Sequence, residues 1–165
     1  MKGFNKRRIT RIILVFCALG VMTLIFYLSS QPAQQSSELS RGISFVLIKW
    51  FLPKDLSETE LRIILTNINA IIRKVAHFII FSVLGSLLYS IFLTAKRPRK
   101  PMLCGMTIGL IYALSDEFHQ VFVPGRGAQW QDVLLDFFGV IVGIVAIKLV
   151  LKAIGRNRGK NENYR

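Results

Sequence analysis

The sequence has 165 residues, of which 52% are hydrophobic, and 22 Lys and Arg against 9 Asp and Glu give a net charge of +13. That length suits one compact unit and is too short for two ordinary domains, and a mean hydropathy of +0.47 is more than a soluble unit readily hides. The basic residues flank apolar runs instead of forming a stripe on one soluble face, which argues against nucleic-acid binding and for a role in membrane orientation.

In chain order, the first apolar run is Ile12 to Leu28, preceded by Lys2, Lys6, Arg7, Arg8 and Arg11. A secretory signal begins similarly, but this run is longer than a usual signal core. No Ala-x-Ala site follows in Leu28-Ser29-Ser30-Gln31-Pro32, so the run is expected to stay as a membrane helix. The stretch from Gln31 to about Ile72 is long for a connection. Ile43, Val46, Leu47 and Trp50 repeat within it at helical spacing, which suggests a short helix lying on the outer interface until Pro53. Ser57-Glu58-Thr59-Glu60 reads as a capping box, and the helix it starts is expected to run toward the second apolar run.

That second run, Val75 to Ala95, ends at Lys96-Arg97-Pro98-Arg99-Lys100-Pro101, a basic loop whose prolines forbid a continuous helix. The third starts at Met102, stays apolar to Leu114 and closes with Ser115-Asp116-Glu117-Phe118-His119-Gln120-Val121-Phe122. Only with that polar stretch is it long enough to span comfortably. Pro124-Gly125-Arg126-Gly127 is a turn. The fourth run, Val133 to Leu151, contains Asp136 and ends among basic residues. The two cysteines, Cys17 and Cys104, fall inside apolar runs without a CxxC spacing and read as packing residues. The expected organisation is an all-α bundle of four transmembrane helices, at about 12–29, 75–95, 102–122 and 133–151. It forms one membrane domain over 1–155, with a basic tail over 156–165.

Lys and Arg number five before the first run, four between the second and third, and six at the C-terminal end, fifteen in all. The opposite side has seven, offset by four acids in the long loop. Both termini are therefore expected to be cytoplasmic in a multi-pass cell-membrane protein. This orientation brings Lys74, His77, Asp116, Glu117, His119, Gln120, Arg126, Asp132 and Asp136 to one outer level. On the third and fourth helices the polar stripe continues into Gly105-x-x-x-Gly109 and Gly139-x-x-x-Gly143, so the charged faces are also the packing faces. Charges at membrane depth need partners or a purpose. Two readings stay open: a structural ion network joining Lys74 and Arg126 to the acids, or a binding or catalytic site. Without a His-x-x-x-His spacing no metal is assigned, and cofactors are left unknown. No nucleophile elbow or P-loop is present. Trp50 and Trp130 read as interfacial anchors.

The blocks Lys74-x-x-His77-Phe78, Ser115-Asp116-Glu117-x-His119-Gln120-x-Phe122-x-Pro124-Gly125-Arg126 and Asp132-Val133-x-x-Asp136-x-x-Gly139-x-x-x-Gly143 resemble the VanZ-like family, as does Ser29-Ser30-Gln31-Pro32. These are small bacterial membrane proteins named for a member linked to resistance to the glycopeptide teicoplanin. The resemblance implies a cell-envelope role. Two function classes follow. In the first, the site binds an envelope lipid or lipid-linked cell-wall intermediate and so alters glycopeptide susceptibility without chemistry. In the second, a small membrane enzyme acts on such a lipid by acid/base chemistry. Asp116, Glu117, His77 and His119 are then the candidate catalytic groups, and Lys74, Gln120, Arg126, Asp132 and Asp136 the candidate binding groups. A transporter would need a homo-oligomer, and the oligomeric state is left open.

Overall fold

The computed structural model describes residues 2–32, 57–95 and 100–162, together with Gly42, Ser44, Val46 and Trp50 singly. Its helices are α1 (Lys2–Ser29), α2 (Glu58–Leu93), α3 (Pro101–Gln120) and α4 (Trp130–Glu162), and the described residues contain no strand. The chain is therefore all-α. Three helices, α1, α2 and α4, are long and apolar enough to cross a membrane. With 20 residues α3 is about 30 Å long, the thickness of a bilayer core. Its last turn and a half makes it too polar to qualify alone, and three of the residues responsible, Asp116, Glu117 and Gln120, are buried in the bundle.

Large apolar residues lie exposed around much of α1, among them Ile9, Ile13, Phe16, Leu19 and Phe26. Such a helix is stable only against lipid or another apolar surface. Ala18 and Ile25 form its inward edge. The Tyr112 hydroxyl of α3 donates to the Met22 carbonyl at 2.6 Å, which fixes the two helices together.

The capping box read in the sequence is present at the start of α2. Ser57 Oγ accepts the Glu60 N–H at 3.3 Å, and the Ser57 N–H donates to Glu60 Oε2 at 3.0 Å. From there α2 is one uninterrupted helix of 36 residues, about 54 Å. The capped piece and the second apolar run are therefore a single rod, longer than a bilayer core is thick. Of the expected interfacial segment, Ile43, Leu47 and Pro53 lie outside the described residues. Gly42, Ser44, Val46 and Trp50 are helical, and the buried Ser44 donates its hydroxyl to Asn69 of α2.

The bundle closes most tightly between α2 and α4. A Cβ on Gly143 would stand 1.8 Å from the Ser82 carbonyl oxygen, and one on Gly85 would stand 2.2 Å from that of Val140. Only glycine allows backbones this close. Ser86 Oγ adds a hydrogen bond to the Gly143 carbonyl at 2.9 Å. Phe81, Leu84 and Leu88 of α2, Ala113 of α3, and Val140 and Ile144 of α4 fill the centre. Lys100, in the left-handed region at φ 47°, reverses the chain into Pro101. Gly125, at φ 75°, reverses it again between α3 and α4.

Candidate functional site

The packing sets the level of the site. α1 ends, α3 ends and α4 begins at the same end of the bundle, while α2 passes alongside. At that level Ser29 Oγ of α1 donates to Asp116 Oδ2 of α3 at 2.9 Å, and Gln120 Nε2 donates to the same oxygen at 3.0 Å. The other oxygen, Oδ1, is buried and has no hydrogen-bond partner.

His77 reaches this carboxylate from α2. Its Nδ1 is 3.9 Å from Asp116 Oδ2 and 3.7 Å from Asp136 Oδ2 of α4. Both separations are beyond hydrogen-bond length. Asp116 and Asp136 are 3% and 2% exposed, which is rare for carboxylates that no cation neutralises. Glu117, also buried, accepts the Gln129 backbone N–H through Oε1, and its Oε2 has no partner.

The remaining expected residues are spread around this centre. Lys74 pairs with Asp132 at the rim, where both side chains keep contact with solvent. His119 turns to α1 instead of to the carboxylates: its Nε2 lies 3.0 Å from Ser30 Oγ, and its ring stacks on Phe26 at a centroid distance of 4.4 Å. Arg126 reaches back across the bundle, and its Nη2 donates to the Leu28 carbonyl at 3.1 Å. Its Nε and Nη1 are buried without partners. Burial pushes the guanidinium pKa down and Arg73 adds to that, while Asp116 and Glu117 oppose it. Among the described residues no ion pair joins Arg126 to any acid, so the expected network reduces to Lys74–Asp132 and the long His77 contacts.

A cavity of about 20 Å³ is lined by Arg73, Lys74, His77, Gln120, Arg126, Asp132, Leu135 and Asp136. Such a space holds roughly one water-sized group. Lys74 and Leu135 also border a larger apolar groove of about 370 Å³, walled by Ile71, Val75, Phe78 and Phe138. The polar cavity and the groove thus share a boundary between α2 and α4.

Three of these groups were not among the expected site residues. Ser29 and Ser30 carry a signal in sequence, the Ser-Ser-Gln-Pro block at the end of the first apolar run, but nothing there says whose side chains they meet. Arg73 has no signal beyond its position beside Lys74.

Compared with known proteins, no curated protein and no solved structure matches the chain. The VanZ/LLP1 family model matches residues 14–151, a stretch that includes every residue of the site. The chain belongs to the VanZ/LLP1 family of membrane proteins.

Proposed function

We propose that the site binds the anionic headgroup of an envelope lipid at the mouth of its polar cavity, with one headgroup oxygen inside it and the acyl chain in the adjoining groove. The observation that carries this reading is Arg126. Two of its donors are buried and unpartnered beside a cavity that Arg73 also lines. Two guanidinium groups facing one space repel each other until an anion lies between them, and arginine binds phosphate or carboxylate more specifically than lysine does. The groove supplies the second half of the argument, because its apolar walls begin where the cavity's charges end. Resemblance to a family named for teicoplanin resistance makes altered glycopeptide susceptibility the cellular consequence to look for.

The test is native mass spectrometry of the purified chain with phosphatidylglycerol and with phosphatidylcholine. Preferential, saturable retention of the anionic lipid is expected. Arg126→Lys keeps the charge but loses the planar donor set, so retention should fall by roughly tenfold or more, corresponding to about 1.5–3 kcal/mol for a charge-assisted hydrogen bond. Equal retention of both lipids, or an Arg126→Lys variant that binds like the parent, would refute the reading. An enzymatic second reading draws on one observation, the imidazole of His77 set against two carboxylates. Turnover of the retained lipid in the same incubation would establish it.

A further inference from the structure

We propose that His77, Asp116 and Asp136 form a binding site for one divalent first-row transition-metal ion, such as Zn²⁺ or Mn²⁺. The inference rests on the carboxylates and does not depend on whether the cavity takes a lipid.

The geometry is that of ligands arranged around a shared point. One potential ligand atom from each residue lies within 4.8 Å of the other two. His77 Nδ1 stands 3.7 and 3.9 Å from the two carboxylate oxygens. Ligands at about 2.1 Å from one ion can be up to roughly 4.2 Å apart, so both separations admit an ion between the atoms. The third pair, one oxygen from each carboxylate, lies within 4.8 Å as well. A protonated imidazole serving both acids would instead draw them to hydrogen-bond length, and neither contact is that short.

Three further features agree. Asp116 Oδ1 is buried without a partner, on a side chain that is 1% exposed. An unneutralised carboxylate in that position is costly, and a bound cation removes the cost. Ser29 and Gln120 both donate to Oδ2, an outer set of hydrogen bonds of the sort that orients ligating carboxylates. Finally, His77 and Asp136 line the cavity, which gives an ion an entry path and room for a water as a further ligand. The donor set of one imidazole and two carboxylates favours Zn²⁺ or Mn²⁺ over a soft ion. Because the ligands come from three different helices, no sequence spacing announces them.

The experiment uses the full chain in detergent, stripped with a chelator, dialysed and titrated with Zn²⁺, Mn²⁺ or Co²⁺. One ion per chain is expected, together with visible absorption bands from Co²⁺ in nitrogen and oxygen ligation. Asp136→Asn and His77→Gln should each weaken binding at least about 100-fold. Ser29→Ala, which removes only an orienting hydrogen bond, should weaken it by about 10–100-fold. Thr66→Ala, on an exposed stretch of α2 where the hydroxyl meets only the Arg62 carbonyl, should bind as the parent does. Failure of the folded parent chain to retain any ion, or to give the Co²⁺ bands, would overturn the proposal, and this arm needs no variant to fold. Undiminished binding in folded Asp136→Asn and His77→Gln would overturn it equally.

Discussion

At the scale of single residues, the centre of the site is organised against its own stability. Asp116, Glu117 and Asp136 are all buried, yet among the described residues the nearest ion-pair partner of any of them is His77, at 3.7 Å or more. A structural ion network would behave differently from a set of like charges held for a ligand. Removing one member of a matched buried pair leaves its partner uncompensated and destabilises by roughly 3–5 kcal/mol. Removing one of several like charges relieves repulsion. Asp116→Asn keeps the shape and an oxygen able to accept from Ser29 and Gln120. In the presence of a chelator its melting temperature should match or exceed that of the parent chain, while retention of metal falls. A drop of many degrees would identify Asp116 as a scaffold residue. The separation of roles also explains why sequence reasoning grouped too much together. Asp116 and His119 share a helical face, but the end of α1 captures His119 through Ser30 and Phe26. Spacing along a helix indicates which face a side chain is on; it does not indicate which neighbour arrives at that face.

At the scale of the elements, the α2–α4 contact holds the site together, since His77 is on one of these helices and Asp136 on the other. Gly143 sits where a methyl group would overlap the Ser82 carbonyl oxygen, and a backbone oxygen cannot move aside as a flexible side chain can. Gly143→Ala should therefore destabilise the bundle by ~1–3 kcal/mol, the usual range for overpacking, or more where the helices must separate. Gly20 on α1 has nothing within 4 Å of its would-be Cβ, so Gly20→Ala is expected to be neutral or mildly stabilising. Thermal unfolding in one detergent compares the two, and equal effects would mean that the close approach is not a requirement. That α4 packs closely through Gly139 and Gly143 was legible in the sequence, where small residues four apart lie on its polar face; that the helix they meet is α2 was not. The extent of α2 was harder to read. Its apolar stretch begins near Val75, but the helix starts at the Ser57 cap, since polar and charged residues such as Arg62 and Asn67 cost little in a helix that extends past the bilayer core. The crossing of α3 was likewise only half legible, because hydropathy cannot distinguish a polar helix end in solvent from one buried against three neighbours.

At the scale of the whole molecule, the contacts fix the relative directions of the helices before any question of inside and outside. The end of α1 meets the end of α3 through Ser29–Asp116 and Ser30–His119, so these two helices run parallel. Asp136 lies in the second turn of α4 and meets the same centre, so α4 runs the opposite way, and α2 returns from the site end toward the loop that precedes Pro101. The N-terminus, the α2–α3 loop and the C-terminal end therefore share one side, and the site and the α3–α4 turn lie on the other. Fifteen of the 22 Lys and Arg belong to the first of these sides. Basic loops are retained in the cytoplasm during insertion, so the site should open to the exterior. In a chain lacking Cys17 and Cys104, single cysteines at Thr59 and Gly127 are expected to react with an impermeant thiol reagent on intact cells. Cysteines at Lys100 and Asn161 should react only after lysis. Because the helix directions are tied together, the four positions must divide in these two pairs whichever way the bundle is inserted. The reverse pattern would turn the site to the cytoplasm and remove envelope lipids of the outer leaflet from consideration. Labelling that split either pair would contradict the bundle itself.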